Sequence, residues 1–350
     1  MKTSIRVVAP VRALTVATVI AAGCTLPGAV AWGDRAPTPV MTTAPVTNTV
    51  PVTATAKVTA TAKVTATAPV MAGSDPGAAL VVDSVLQRRL EALIEGFEGD
   101  VGIYVRQLRT NAGVAIAADD TFPTASMVKL PLLAALHQRV EAGALFLDST
   151  YVLTDSTVLQ TDDEDIIAQL RWGEPVHLRK LAFLMMSTSD NTASVWIQQL
   201  IGGSDTVNAW LDRNGFAVTR DNSRLPHRRE IWRRWGWGMT TPREIAELLV
   251  RVREGRAVSR DASESMYRLM TGSYWHDEAL AGVPPWIGVA SKQGAVNRSR
   301  SEVLLVESPT GPYVLSVITK HQQDESWTAD NAGYVLLRRV SWEVWHHFNP

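Results

Sequence analysis

The feature that most narrows what this chain can become is a stretch with nothing to build a core from. Residues 32–78 are made largely of Thr, Ala, Val and Pro, and VTATAK–VTATAK–VTATAP repeats there with period six. Large apolar side chains are almost absent, so ordering this segment would bury too little surface to offset its lost entropy. Three short repeats without glycine or long aliphatics also fall short of a β-solenoid. The segment reads as a flexible linker, and it confines the fold to residues 79–350. That length suits one large domain.

Ahead of the linker, residues 1–31 read as an export signal. Lys2, Arg6 and Arg12 form a positive start, and Ala13–Gly23 is an apolar core too short to span a bilayer. Two processing sites compete. Ala21-Ala22-Gly23-Cys24 resembles a lipobox, which would lipidate Cys24 and anchor the protein on the outer face of the membrane. Ala29-Val30-Ala31 fits ordinary secretion. In either case the mature domain holds no cysteine, which excludes a disulfide framework, thiol catalysis and a zinc–thiolate site. Loss of the three cations takes the net charge from −1 to −4, against a general nucleic-acid binder.

Within 79–350, hydrophobic spacing predicts an amphipathic helix over Val82–Phe97 and two strands, Asp100–Arg109 and Ala112–Ala117, joined as a hairpin at Thr110-Asn111. An apolar run from Leu130 continues at helical spacing to Val140. Helices follow near Glu164–Leu170, His177–Ser187, Thr192–Ile201, Thr206–Asn214, Pro242–Glu254 and Ala262–Thr271. Strands at Ile287–Lys292, Glu302–Glu307 and Tyr313–Thr319 precede a last helix, Gly333–Phe348. Strands at both ends around a helical middle argue an α+β fold. A five-stranded antiparallel sheet would be flanked by the N- and C-terminal helices, with a mostly helical subdomain inserted.

Three polar stretches interrupt this pattern. TASMVKL, Thr124–Leu130, places Ser126 and Lys129 three apart, so on a helix the hydroxyl and the ammonium share a face. A serine attacks only if something takes its proton, and a lysine with a lowered pKa can do so. Ser189-Asp190-Asn191 lies between two predicted helices, and Ser291-Lys292-Gln293-Gly294 ends a predicted strand. Alone, each has a plainer explanation: a helix cap with a surface lysine, another cap, a polar strand end. Their order and their intervals, 63 residues from Ser126 to Ser189 and 103 more to Lys292, set them apart.

With these motifs the chain resembles the penicillin-recognising serine hydrolases, class A β-lactamases above all. TTPREIAELL, from Thr240, is similar to that group's Thr-Thr-Pro helix start. The resemblance implies an acyl-enzyme on Ser126, with Lys129 accepting or relaying its proton. Ser189 would pass a proton to the leaving nitrogen, Asn191 would hold the substrate's side-chain amide, and Asp190 would order the loop. Lys292 would raise the local potential, lower the pKa of Lys129 and attract an anionic substrate. The oxyanion hole would use the N–H of Ser126 and of a residue just past Gly294, taken as Val296. No metal or other cofactor is implied. The seven histidines show no His-x-x-x-His or His-x-His spacing, and His346-His347 reads as surface. A monomer is expected.

Two departures bear on chemistry. Gln293 stands where the group has a hydroxyl residue that donates to the substrate carboxylate, and Arg298 or Arg300 would be the replacement donors. The segment TRDNSRLPHRREIWRRWGWGMTTP lacks the Glu-x-x-Leu-Asn whose glutamate activates the deacylating water. Its one glutamate, Glu230, is a candidate base, but Arg228, Arg229 and Arg233 crowd it and favour a salt bridge. Trp232, Trp235 and Trp237 in the same segment read as core packing or a substrate-gripping wall. The readings left open are a β-lactamase-like hydrolase of lactams or related amides, a penicillin-binding D,D-peptidase acting on peptidoglycan stem peptides, and a catalytically weak wall-binding domain.

Overall fold

The computed structural model of the chain describes residues 79–154 and 165–350. The export signal at 1–31 and the linker at 32–78 are expectations outside the described residues. In chain order the elements are β1 (Val81–Val82), α1 (Ser84–Ile94), β2 (Asp100–Gln107), β3 (Ala112–Ile116), β4 (Phe122–Pro123), α2 (Lys129–Glu141), β5 (Thr150–Val152) and β6 (Pro175–His177). Then come α3 (Leu178–Ser187), α4 (Asn191–Ile201), α5 (Ser204–Arg213), β7 (Arg220–Asp221), α6 (Arg229–Trp235) and β8 (Gly238–Thr240). The chain closes with α7 (Pro242–Arg253), α8 (Arg260–Met270), β9 (Val289–Val296), β10 (Ser299–Val306), β11 (Tyr313–Lys320) and α9 (Ala332–Phe348).

The fold is α+β as expected. The main sheet runs β1-β3-β2-β11-β10-β9, and its five long strands are antiparallel. One addition is β1, which pairs parallel to β3 at the far edge. It takes the start of the helix predicted from Val82, because Asp83 accepts from the N–H groups of Val85 and Leu86 and so fixes where α1 begins. His347 of α9 binds the same carboxylate at 2.7 Å, tying the two terminal helices together.

Alternation along the strands loads both faces of the sheet. Val105, Leu304, Leu315 and Val317 pack under α1 and α9, against Leu86, Leu90, Leu337 and Val340. Val303, Leu305, Val314 and Ile318 face the helical body, whose core includes Leu132, Leu136, Ile245 and Leu249. Each fully buried aliphatic contributes about 1.5–3 kcal/mol relative to exposure. The helix expected near Glu164–Leu170 is only a short 3₁₀ turn, Ile167–Gln169. Gly173 at φ +82° and Pro175 end that run, and the chain turns into β6.

Candidate active site

Ser126 sits in a 3₁₀ turn, Ala125–Val128, that runs straight into α2. The turn is held from two sides. The N–H of Thr124 donates to Gly238 O at 3.0 Å, and β4 pairs with β8, so the tryptophan-rich segment braces the nucleophile turn from below. Opposite stands β9, the free edge of the main sheet, with Gly294 against the backbone of Thr124 and Ser126. Ala125 adopts φ +43°, a strained value for a residue with a side chain, just before Ser126.

The three motifs meet here. Lys129 is fully buried, and its Nζ lies 3.1 Å from Ser126 Oγ, 2.7 Å from Asn191 Oδ1 and 2.5 Å from Ser189 O. Ser189, itself at φ +64°, places its Oγ 3.0 Å from Lys129 Nζ and 3.1 Å from Lys292 Nζ. It bridges the two lysines. Burial, and then the charge of nearby Lys129, push the Lys292 pKa well below the usual lysine range.

The loop that carries Ser189 is set by two buried acids. Asp190 caps α4 at Ala193 N and accepts from Ile167 N, so it orders the loop and performs no evident chemistry. Burial raises its pKa. Asp165, which sequence reasoning passed over, accepts from Asn191 N at 2.8 Å and from Thr192 N and Oγ1 at 2.7 Å. An acid 26 positions away cannot be paired with a loop by local spacing.

The edge strand corrects one oxyanion donor. Asn297 and Arg298 alone join β9 to β10, with Val296 opposite Ser299. A two-residue hairpin closes on a hydrogen-bonded pair, and bonded pairs recur at every second residue. Val296, Gly294 and Lys292 therefore turn their N–H groups toward β10, while Ala295 turns its own outward over the nucleophile. The N–H that the edge leaves free for such a role is therefore that of Ala295, not that of Val296.

Two further expectations are corrected. Arg300 does not reach the site. It lies on the other face of β10, fully buried, where its guanidinium donates to the carbonyls of Val296, Ser299 and Ser326 and stacks between Trp327 and Tyr334. Glu230 is also remote: its side chain is 80% exposed on α6 and pairs with Arg233. Accordingly, Glu230→Gln leaves the deacylation rate unchanged within about twofold, measured by decay of an acyl adduct; such exposed pairs contribute about 0–1 kcal/mol. Gln293 turns its amide oxygen onto Lys292 Nζ, so it serves the lysine first.

Around Ser126 opens a cavity of about 510 Å³, lined also by Asn191, Trp235, Trp237, Ala295 and Val296. Trp237 is shared with a second cavity of about 490 Å³ that Trp232 lines. The tryptophan segment thus lines both cavities.

Behind the edge strand, on the face of Arg300, lies a buried carboxyl pair. Burial, and then repulsion by Glu302, raise Glu278 to about 9, and burial raises Glu302 to about 7. Glu302 accepts from the N–H of Leu280 at 3.2 Å. Because its folded pKa lies above its unfolded one, the native state holds the extra proton, and stability is lost as pH rises from roughly 4 toward the folded value. Glu302→Gln removes that loss. Its stability relative to the parent, read by urea titration, rises with pH over that window by up to about 1.4 kcal/mol per unit.

Residues 85–348 match the β-lactamase enzyme family. The chain is 27% identical to β-lactamase 3 of Bacillus cereus over 233 residues, covering 66% of this chain and 72% of that one. It is also 27% identical to a β-lactamase of Streptomyces albus G over 263 residues, 72% and 82% of the two chains. Among solved structures, a mutant of PBP-A in an acyl-enzyme complex with penicillin G superposes with a TM-score of 0.68 at 23% identity, over 78% of this chain and 99% of that one. A β-lactamase from Xanthomonas campestris gives 0.67 at 22% identity, over 77% and 99%. With a family match that spans nearly the whole described domain, and a serine, two lysines and a Ser-Asp-Asn loop gathered at one cavity, the chain belongs to the β-lactamase enzyme family of serine hydrolases.

Proposed function

We propose that Ser126 attacks β-lactams or related amides and forms an acyl-enzyme that is released slowly. The observation that carries this is the pair of buried lysines joined through Ser189 Oγ, with Lys129 Nζ in reach of Ser126 Oγ. As a neutral amine, Lys129 donates its two N–H bonds to Ser189 O and Asn191 Oδ1, which leaves its lone pair for the Ser126 proton. Ser126 Oγ then bonds to the carbonyl carbon. The oxygen takes the negative charge on the N–H groups of Ser126 and Ala295. The proton passes from Lys129 through Ser189 to the amide nitrogen as the C–N bond breaks. With Lys129 neutral, its repulsion of Lys292 is lifted, and Lys292, beside Ser189, carries the positive potential for a substrate carboxylate.

One feature favours the penicillin-binding, D,D-peptidase-like reading over fast hydrolysis. Among the described residues, none that lines the Ser126 cavity is a carboxylate, so none of them stands ready to activate a deacylating water. The comparison with PBP-A, whose complex with penicillin G is an acyl-enzyme, supports the same emphasis. Intact mass followed over time after adding benzylpenicillin tests both parts. An adduct that outlasts the free lactam is the expected result. Rapid disappearance of lactam with no accumulated adduct would transfer the protein to the efficient hydrolases, and no adduct with no lactam loss would refute the mechanism.

The reading also places the enzyme outside the cytoplasm, on the strength of residues 1–31. Mass analysis of the mature N-terminus decides between a lipidated Cys24 and cleavage after Ala31.

A further inference from the structure

The site has a direction. Ser189 and Lys292 stand 3.1 Å apart on the Lys129 side of Ser126 and do not line the cavity. The cavity wall itself, with Ala295 and Val296, carries Arg234, Arg298, Lys320 and His321. An amide cut by Ser126, with its oxygen on the N–H groups of Ser126 and Ala295 and its nitrogen toward Ser189, lies along this axis. Its leaving half occupies the lysine end, and its acyl half points to the other four cationic side chains.

Two of those four have acidic neighbours. His321 Nδ1 lies 2.8 Å from Asp100, and Arg298 lies 3.6 Å from Glu325 while donating to the carbonyls of Gln322 and His321. The other two have none among the described residues. Lys320 donates to the carbonyl of Thr121 at 2.9 Å and sits over the Phe122 ring. Arg234 lies over Trp235, 4.9 Å from the ring centroid, with no hydrogen-bond acceptor among the described residues. Lys320 approaches the same ring from 5.8 Å. Stacking holds a guanidinium in one plane and keeps its donor edge free for a planar anion.

We propose that the substrate carries a free carboxylate on the acyl side of the scissile bond, and that Arg234, backed by Lys320, grips it. The proposal rests on the reading of Ser126 as the nucleophile. Two cations without counter-charge on one cavity wall draw an anion in, and a guanidinium edge binds a carboxylate through two parallel hydrogen bonds. The substrate class is an N-acyl amide, lactam or peptide, with a dicarboxylic or similarly anionic acyl group. Arg234 is then a specificity-determining residue on a helix that the sequence alone leaves unassigned.

Benzylpenicillin and carboxybenzylpenicillin differ only by one carboxylate on the acyl chain, which makes them the probe pair. At low ionic strength the carboxylated compound labels the protein about tenfold faster. That preference shrinks as salt rises and falls to about one in Arg234→Gln. Equal rates in the parent, or an undiminished preference in Arg234→Gln, overturns the proposal. Titrating Ser126→Ala with the same two compounds, followed by tryptophan emission, separates this from the chemistry it rests on. A carboxylate-dependent affinity without any labelling of the parent keeps the anchor and removes the acylation reading. Equal affinity, or no binding of either compound, removes the anchor.

Discussion

Ser126→Ala folds as the parent does and takes up no covalent label from a penicillin. Among the described residues, its Oγ is the one hydroxyl that combines a lysine amine at 3.1 Å with a place on the cavity wall beside Ala295. Ser189 Oγ is also near a lysine, but it stands between two of them, as a relay. Removing the nucleophile of a serine hydrolase costs on the order of 10⁶ in turnover. The fold loses little, because Lys129 keeps Ser189 and Asn191 as acceptors. A shift of about 1 kcal/mol or less in unfolding free energy is expected. Labelling of the variant at the parental rate would place the nucleophile elsewhere.

Gly294→Ala is the second change with a large effect, and it acts without touching a reacting atom. A methyl there would stand 2.6 Å from Thr124 O, 2.9 Å from Ser126 N and 2.9 Å from Ser301 Oγ. Two of these three contacts are backbone of the nucleophile turn and cannot rotate away. The edge strand has to back off, and it carries Ala295, whose N–H must share one oxygen with that of Ser126. Loss of one such donor costs about 10²–10³ in rate. Overpacking itself costs about 1–3 kcal/mol of stability. Acylation kinetics and thermal unfolding on the same preparation separate the two. A variant that acylates at the parental rate would show that the hole is formed by other groups.

The parts legible in the sequence were those carried by side-chain type at short spacing. Ser126 and Lys129 announce themselves because three residues make one helical turn. The long strands β2, β10 and β11 alternate over six or more residues, enough to show their period. The paired strands β4, β7 and β8 are two or three residues each, too short for any pattern, yet they brace the nucleophile turn. Arg298 and Arg300 looked equivalent two apart, but Arg298 belongs to the turn, where alternation does not hold. Val296 was one residue off for a related reason: which N–H points out depends on hairpin closure, and closure is a property of a pair of strands. Asp165 and Arg234 enter the site only through contacts distant in sequence.

The order of the main sheet has a consequence in time. Its central pair joins β2 to β11, with Gln107 opposite Tyr313 and Asp100 opposite Lys320. Lys292 and Ala295 reach the N-terminal strands only through β10 and β11. A ribosome that has made β2 needs roughly 10–40 s more to deliver its partner, at about 5–20 residues per second. For that interval the nucleophile exists without a site, and the hairpin of β2 and β3 has no sheet to join. On the proposed mechanism, chemistry begins only once β11 has been made. Acylation of Ser126 is thus a report on an intact C-terminus, and any product truncated before β11 is silent however perfect its three motifs.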